Sequence, residues 1–343
     1  MLVIFVITTP KTIFNLNLNS MEIVKWGIIG CGDVTEVKSG PAFNKTKNSE
    51  LVAVMRRNAE KAKDYASRHN VPFWYDNADE LLNHEGVNSI YIATPPSSHL
   101  EYAIKALKLN KNVYLEKPMA LNANEAKQIR EALKSSNGKL TVAHYRRQLP
   151  MFLTVKKLLE EGEIGEVRCA DIQLLQPLNT KMITVTEENW RANKNISGGG
   201  FFHDLAPHQL DLIYYFLGDY NKAHGYAMNQ SNTYDAEDIV NGIIELKNGI
   251  QIRGLWAFNV NASASKDELK IYGNLGEIKL SIFGNQVEIT REGISEILNF
   301  KHPENIQFSM IEATVNYFLG KQDNPCAADE GIRIMEIIDS FTS

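Results

Sequence analysis

Gly27-Ile28-Ile29-Gly30-Cys31-Gly32-Asp33-Val34-Thr35 is the stretch that decides the fold. The apolar run from residue 23 to 29 reads as a buried strand, and it ends on two glycines one residue apart. Both glycines have a physical job. One makes a tight turn, and the other lets the backbone approach a pyrophosphate at the start of the next helix. Gly30, Cys31, Gly32, Asp33 and Val34 are therefore the expected dinucleotide loop. The third fingerprint position holds Thr35 rather than glycine or alanine, which predicts slightly looser packing of helix on strand. The short helix after the loop is expected to stop at Gly40-Pro41.

Working outward, strands and helices alternate. Residues 51–55 and 89–93 read as further strands, the latter broken by Thr94-Pro95-Pro96. Ala59, Ala62, Tyr65 and Ala66 recur at helical spacing. Ser98 and Glu101 have the form of a capping box for a helix with an apolar stripe of Leu100, Ala103, Ile104 and Leu107. Residues 112–115 form the next strand, Asn122 and Glu125 open another helix, and residues 140–143 close the series. This alternation predicts an α/β chain with a doubly wound parallel sheet over residues 21–145. Beyond about residue 146 the pattern changes. A helix carries Phe152, Val155, Leu158 and Leu159. Strand-like stretches at 167–175, 222–228, 238–246, 250–258, 268–272 and 276–282 then predict a mostly antiparallel sheet, with helices on one face, over 146–343. Residues 1–20 read as an extension outside this pattern. Their apolar run is too short to span a bilayer and lacks the marks of a secretory signal.

Chemistry enters at Tyr114-Leu115-Glu116-Lys117-Pro118, about eighty residues after the glycines. It puts one ammonium at the end of a later strand of the same sheet, where a nicotinamide would lie. At the end of the second strand, Met55-Arg56-Arg57-Asn58 offers two arginines where a free ribose 2′-hydroxyl meets an acid. Guanidinium groups suit a 2′-phosphate, so NADP is expected over NAD.

A third cluster is Gly198-Gly199-Gly200-Phe201-Phe202-His203-Asp204-Leu205-Ala206-Pro207-His208. Because proline lacks an amide hydrogen, Pro207 is expected in a first helical turn, with Asp204 at or near the N-cap. Asp204 and His208 then stand about one turn apart, on a helix whose apolar face is Leu210, Ile213, Tyr214 and Leu217. His208 is the candidate acid–base, because an unperturbed imidazole pKa near 6.5 lets it exchange a proton near neutral pH. Lys117 would hold the reacting oxygen, and Asp204 would orient the pair or contact a substrate hydroxyl. One of His203 and His208 is expected to be structural. Tyr145, Arg146, Trp190, Arg191 and His203 are candidates to line a pocket for a hydroxyl-rich or anionic substrate. No metal site is expected, because no ligand set completes the histidines.

These motifs resemble the Gfo/Idh/MocA family of glucose–fructose oxidoreductase and inositol dehydrogenase relatives. The residues that carry the resemblance are Gly-Ile-Ile-Gly-Cys-Gly at 27–32, Ala-Thr-Pro-Pro-Ser-Ser-His at 93–99, Glu-Lys-Pro at 116–118, and Asp204 with His208 after a glycine run. The resemblance implies a Rossmann domain followed by an α/β domain whose open sheet pairs subunits into a homodimer or homotetramer. It implies that Lys117 and His208 are catalytic, with Asp204 beside them. It also implies that Thr94, Pro95, Pro96, His99 and Glu116 lie along the cofactor. Implied substrates are sugars, inositols and related polyols. Two other readings of the fold stay open: a glycosidase that uses a tightly held NAD, and a non-catalytic dinucleotide-binding regulator.

Bulk properties narrow the field. The 343 residues carry a formal net charge of −5 with both signs interspersed, which argues against nucleic acid as a partner. The absence of a long apolar span argues against a membrane. Three scattered cysteines suggest a reducing, cytoplasmic compartment rather than a disulfide framework.

Overall fold

A computed structural model describes residues 21–178 and 190–343, so the expected extension at 1–20 lies outside the described residues. The first half runs β1 (Val24–Ile29), α1 (Gly40–Lys45), β2 (Ser49–Met55), α2 (Ala59–Arg68), β3 (Phe73–Tyr75), α3 (Ala78–Leu82), β4 (Ser89–Ile92), α4 (His99–Lys108), β5 (Asn112–Leu115), α5 (Ala123–Lys134) and β6 (Leu140–Val142). These strands form one parallel sheet in the order β3-β2-β1-β4-β5-β6. Its central strands are buried on both faces, as continuous apolar runs require. The order reverses between β1 and β4, so a crevice opens beyond their carboxyl ends. Gly30, Arg56, Thr94 and Glu116 follow β1, β2, β4 and β5 at that edge.

The second half runs α6 (Pro150–Glu160), β7 (Val167–Leu175), α7 (Lys194–Ser197), α8 (Gly200–Leu217), β8 (Tyr220–Met228), β9 (Ile239–Leu246), β10 (Gln251–Ala257), β11 (Lys266–Gly273), β12 (Gly276–Leu280), β13 (Gln286–Arg291), β14 (Ile294–Asn299), α9 (Phe308–Phe318) and α10 (Ala328–Thr342). The sheet order is β14-β13-β12-β11-β7-β10-β9-β8, antiparallel except where β10 runs parallel to β7. Helix α8 lies on the inner face of this sheet. The Phe202 and Trp256 rings meet at 5.3 Å, and Trp256 Nε1 donates to Gln209. The chain then returns to the first sheet. Phe318 of α9 packs on Trp26, and the Val142 amide donates to the Cys326 carbonyl. No helix among the described residues is long and apolar enough to cross a membrane.

Four local expectations are corrected. Gly40-Pro41 does not merely stop a helix. A five-residue π-helical turn, 34–38, follows the glycines, and Pro41 sits in the first turn of α1, where its missing amide costs nothing. The Ser98–Glu101 capping box does not form: the Ser98 hydroxyl donates to Thr94 and the Pro95 carbonyl, while Glu101 pairs with Lys105. Asn122 does cap α5, accepting from the Glu125 amide. Pro207 is not in a first turn, since α8 starts seven residues earlier at Gly200 and passes through it. Asp204 is therefore an interior residue of α8, not its cap. Finally, α8 is buried all round from Gly200 to Ile213, rather than along one stripe. Strands β3, β13 and β14 have no counterpart in the sequence reading. β3 is three residues long, and β14 is largely exposed, so neither presents a clear buried periodicity.

Candidate active site

The glycine loop has the shape that a dinucleotide needs. Gly30 adopts φ +94°, and a Cβ there would lie 2.8 Å from Thr94 Cγ2 and 2.9 Å from the Thr94 amide nitrogen. Only glycine fits such a turn. A Cβ on Gly32 would meet nothing nearer than the Gly30 carbonyl oxygen at 3.9 Å. That side of the loop is open, as close backbone approach to a pyrophosphate requires. Thr35 is fully buried and its hydroxyl donates to the Gly32 carbonyl, so the departure from the fingerprint is absorbed by a hydrogen bond. Cys31 is buried, which pushes its thiol up to about 12. Arg56 folds back on the loop, with Nη1 3.4 Å from the Cys31 carbonyl oxygen, and Arg57 is exposed.

At the end of β4, Thr94 and Pro118 bracket His99. The His99 ring nitrogens face the Pro118 and Thr94 carbonyls at 3.0 and 2.8 Å, and burial lowers the ring's pKa. His99 thus ties the loop after β4 to the Glu-Lys-Pro turn after β5. The Lys117–Pro118 bond is cis. Glu116 is buried and anchors the turn: Oε1 accepts from the Tyr91 hydroxyl at 2.6 Å and Gln307 Nε2 at 2.7 Å, and Oε2 accepts from the Lys117 amide. Gln307 in turn accepts from Tyr114. Tyr91 and Gln307 escaped the sequence reading. They lie 25 and 191 residues from Glu116, and nothing local marks either as its partner.

Lys117 reaches across to α8. Its Nζ donates to Asp204 Oδ1 at 2.7 Å and to the Asp204 carbonyl at 2.9 Å. Arg191 Nε donates to Asp204 Oδ2 at 2.8 Å, and the Arg191 guanidinium stacks 4.3 Å over Trp190. Burial alone would raise the Asp204 carboxyl. The Lys117 and Arg191 charges and hydrogen bonds outweigh it and hold the group well below the carboxylate range.

His208 lies one turn further along α8. Among the described residues its ring nitrogens make no hydrogen bond, and the Tyr145 and Phe283 rings meet it edge-on at 5.4 and 5.5 Å. Burial, with the nearby charges of Lys117 and Arg146, holds its pKa well below 6.5. In the folded protein the ring therefore departs from its unperturbed value near 6.5. Both effects favour the neutral imidazole over the imidazolium. His203 points elsewhere: its Nε2 lies 3.2 Å from the Ala120 carbonyl oxygen, its ring packs against Gly198, and burial lowers it to about 4. Lys117, Asp204, Arg191, Trp190, His208, Tyr145 and Arg146 are thus brought together, and His203 is held apart by backbone. Among the described residues no group of three or more His, Cys, Asp and Glu side chains is placed to hold a metal ion.

Comparison with known proteins identifies the family. Residues 24–144 match the model of the GFO/IDH/MocA oxidoreductases, an NAD-binding Rossmann fold, and residues 152–279 match that family's C-terminal domain. The chain belongs to the GFO/IDH/MocA oxidoreductase family. Oxidoreductase P35 of Formosa agariphila is 49% identical over 320 residues, covering 93% of this chain and 98% of that protein. The Bacillus subtilis scyllo-inositol 2-dehydrogenase (NADP(+)) IolW is 27% identical over 58% of this chain and 53% of its own length. Among solved structures, the aldose–aldose oxidoreductase of Caulobacter crescentus with glycerol has a TM-score of 0.80 at 22% identity, over 93% of this chain and 96% of that one. That last likeness is one of fold. The GFO/IDH/MocA assignment makes this chain an oxidoreductase with an NAD-binding Rossmann domain.

Proposed function

We propose that this GFO/IDH/MocA protein oxidises or reduces one carbinol or carbonyl carbon of a sugar, inositol or similar polyol, with NADP preferred over NAD. One observation carries the reading. A lysine from the end of β5 and an aspartate and histidine from α8 converge beyond the carboxyl edge of the parallel sheet. The bound nicotinamide would supply the acceptor or donor for hydride.

The protein's own residues handle the proton and the oxygen. Lys117 spends two of its three N–H donors on Asp204, which leaves one for the substrate oxygen. Asp204, clamped by Arg191, fixes the direction of that third donor. Neutral His208 accepts the hydroxyl proton as a carbinol becomes a carbonyl, and returns it in the reverse direction. The buried rings of Tyr145 and Phe283 leave the imidazole's proton-accepting nitrogen for substrate rather than for a protein partner. NADP preference rests on Arg56, which lies against the glycine loop where an acid would otherwise meet the ribose. The outer face of the second sheet exposes Tyr226, Met228 and Ile243, each more than half accessible, which suits pairing with a second subunit into a dimer or tetramer. The test is a panel of sugars, inositols and keto-sugars followed by nicotinamide absorbance with each cofactor. Turnover of at least one polyol supports the reading. Cofactor binding without any redox turnover sinks it.

A further inference from the structure

Two adjacent arginines between β6 and α6 are treated differently by the fold. Arg147 is 1% exposed and fully matched in charge: Nε and Nη2 donate to Asp211, and Nη1 donates to Glu330 at 2.6 Å. Arg146 is nearly as buried, at 6% exposed, yet no carboxylate among the described residues pairs with it. Its Nη1 donates to the Ile282 carbonyl at 2.6 Å. Its guanidinium lies 4.4 Å over the Phe283 ring and 5.3 Å from that of Tyr145. Its Nε is buried without an acceptor, and its hydrogen bond among the described residues is made by Nη1, not Nη2.

Nε and Nη2 share one edge of the guanidinium plane. That edge presents two parallel donors at the spacing of the two oxygens of a carboxylate. The rings that carry Arg146, Tyr145 and Phe283, are the same two that flank His208. A cation buried against aromatic faces and one carbonyl, with a donor left over, lacks the counter-charge that burial demands. Arg147 shows that the fold supplies such counter-charges elsewhere. At Arg146 the missing partner is best supplied by ligand.

We propose that Arg146 is a specificity-determining residue, and that the substrate is a sugar acid: a polyol whose carboxylate is gripped by the Nε–Nη2 edge while a carbinol carbon lies at His208 and Lys117. This rests on the redox reading above and narrows its substrate class. A neutral polyol would leave the guanidinium edge unmatched and bind more weakly.

The experiment compares matched pairs, D-glucuronate with D-glucose and D-galacturonate with D-galactose, with glucose 6-phosphate as a separate anionic probe. Affinity is read by calorimetry on the cofactor-loaded protein, and turnover by nicotinamide absorbance. A charged hydrogen-bonding pair predicts a preference of about 10- to 100-fold for uronate over its parent. Arg146→Gln should lower affinity for the uronates by about 10-fold or more beyond whatever it costs the neutral parents, and Arg146→Lys should restore part of that difference. Equal or better binding of the neutral parents by wild type overturns the proposal, as does preference for the phosphate ester over the uronates. Equal losses for acid and parent in Arg146→Gln would make the residue purely structural and also overturn it. Should Arg146→Gln fail to fold, the wild-type pairs and Arg146→Lys still decide. Uronate binding without redox turnover would sink the redox reading and leave Arg146's role standing. Turnover confined to neutral sugars would do the reverse.

Discussion

Lys117 and Asp204 stand 87 residues apart in the chain, yet Nζ and Oδ1 meet at 2.7 Å, with the aspartate also bound by Arg191. Removing the anion strands two cations in a largely buried place. Asp204→Asn should lower stability by about 3 kcal/mol and abolish most turnover. The same change made in a Lys117→Met background should cost at least about 1 kcal/mol less, because one stranded charge is already gone. Urea denaturation of the four proteins checks this. Identical costs in both backgrounds would mean that the two residues are not energetically coupled.

His208 should titrate far from its ordinary value. With burial and the Lys117 and Arg146 charges holding it low, the acid limb of kcat/KM for oxidation should fall well below pH 6.5. His208→Asn should cut kcat by about 10²- to 10⁴-fold while leaving cofactor affinity unchanged. Histidine NMR gives a second view. In Lys117→Met the His208 resonance should titrate closer to 6.5, and a titration midpoint unmoved by that change would contradict the electrostatic account.

What the sequence disclosed was what local spacing encodes. The strand–glycine–helix order, the lysine after β5 and the one-turn step from Asp204 to His208 are all set within a few residues, so they could be read. The failures came where tertiary burial overrode a local preference. Interior prolines lose a hydrogen bond, which points Pro207 to a first turn, but α8 is embedded on all sides and packing outweighs that loss. Ser98 has the local form of a cap, but its hydroxyl is taken by Thr94, a pairing that the local pattern does not encode. Gln307, Phe283 and Asp211 shape the site from 64 to 191 residues away from the groups they meet, or through ring contacts, and no periodicity announces such partners.

Cofactor choice should follow Arg56. Arg56→Ala removes a charged group beside the glycine loop, and its loss should weaken NADP binding by about 10- to 100-fold while changing NAD binding little. Arg57 is exposed, so Arg57→Ala should have a smaller effect. Titration of both cofactors against the three proteins separates the cases. Tighter NAD than NADP binding by wild type would overturn the assignment.

Buried histidines should make the fold acid-sensitive in a defined window. His144 and His203 are each 2% exposed, and burial lowers both to about 4. In the unfolded chain each titrates near 6.5. Above pH 7 both states are neutral, so the two histidines leave stability flat there. As pH falls from 6.5 to 4, the unfolded chain takes up protons that the folded chain refuses, and stability drops by up to about 3 kcal/mol for each group. Asp204 does not blur this window. Its depressed carboxyl contributes stability above its unfolded value near 3.9, and that contribution is lost only at lower pH. The urea midpoint of wild type should therefore be constant between about pH 7 and 8, below the range where unfolded thiols ionise and the buried Cys31 does not, and decline between about 6.5 and 4. In His203→Gln the decline should be shallower by about one proton. A midpoint flat through the window would mean that these imidazoles carry charge inside the folded protein.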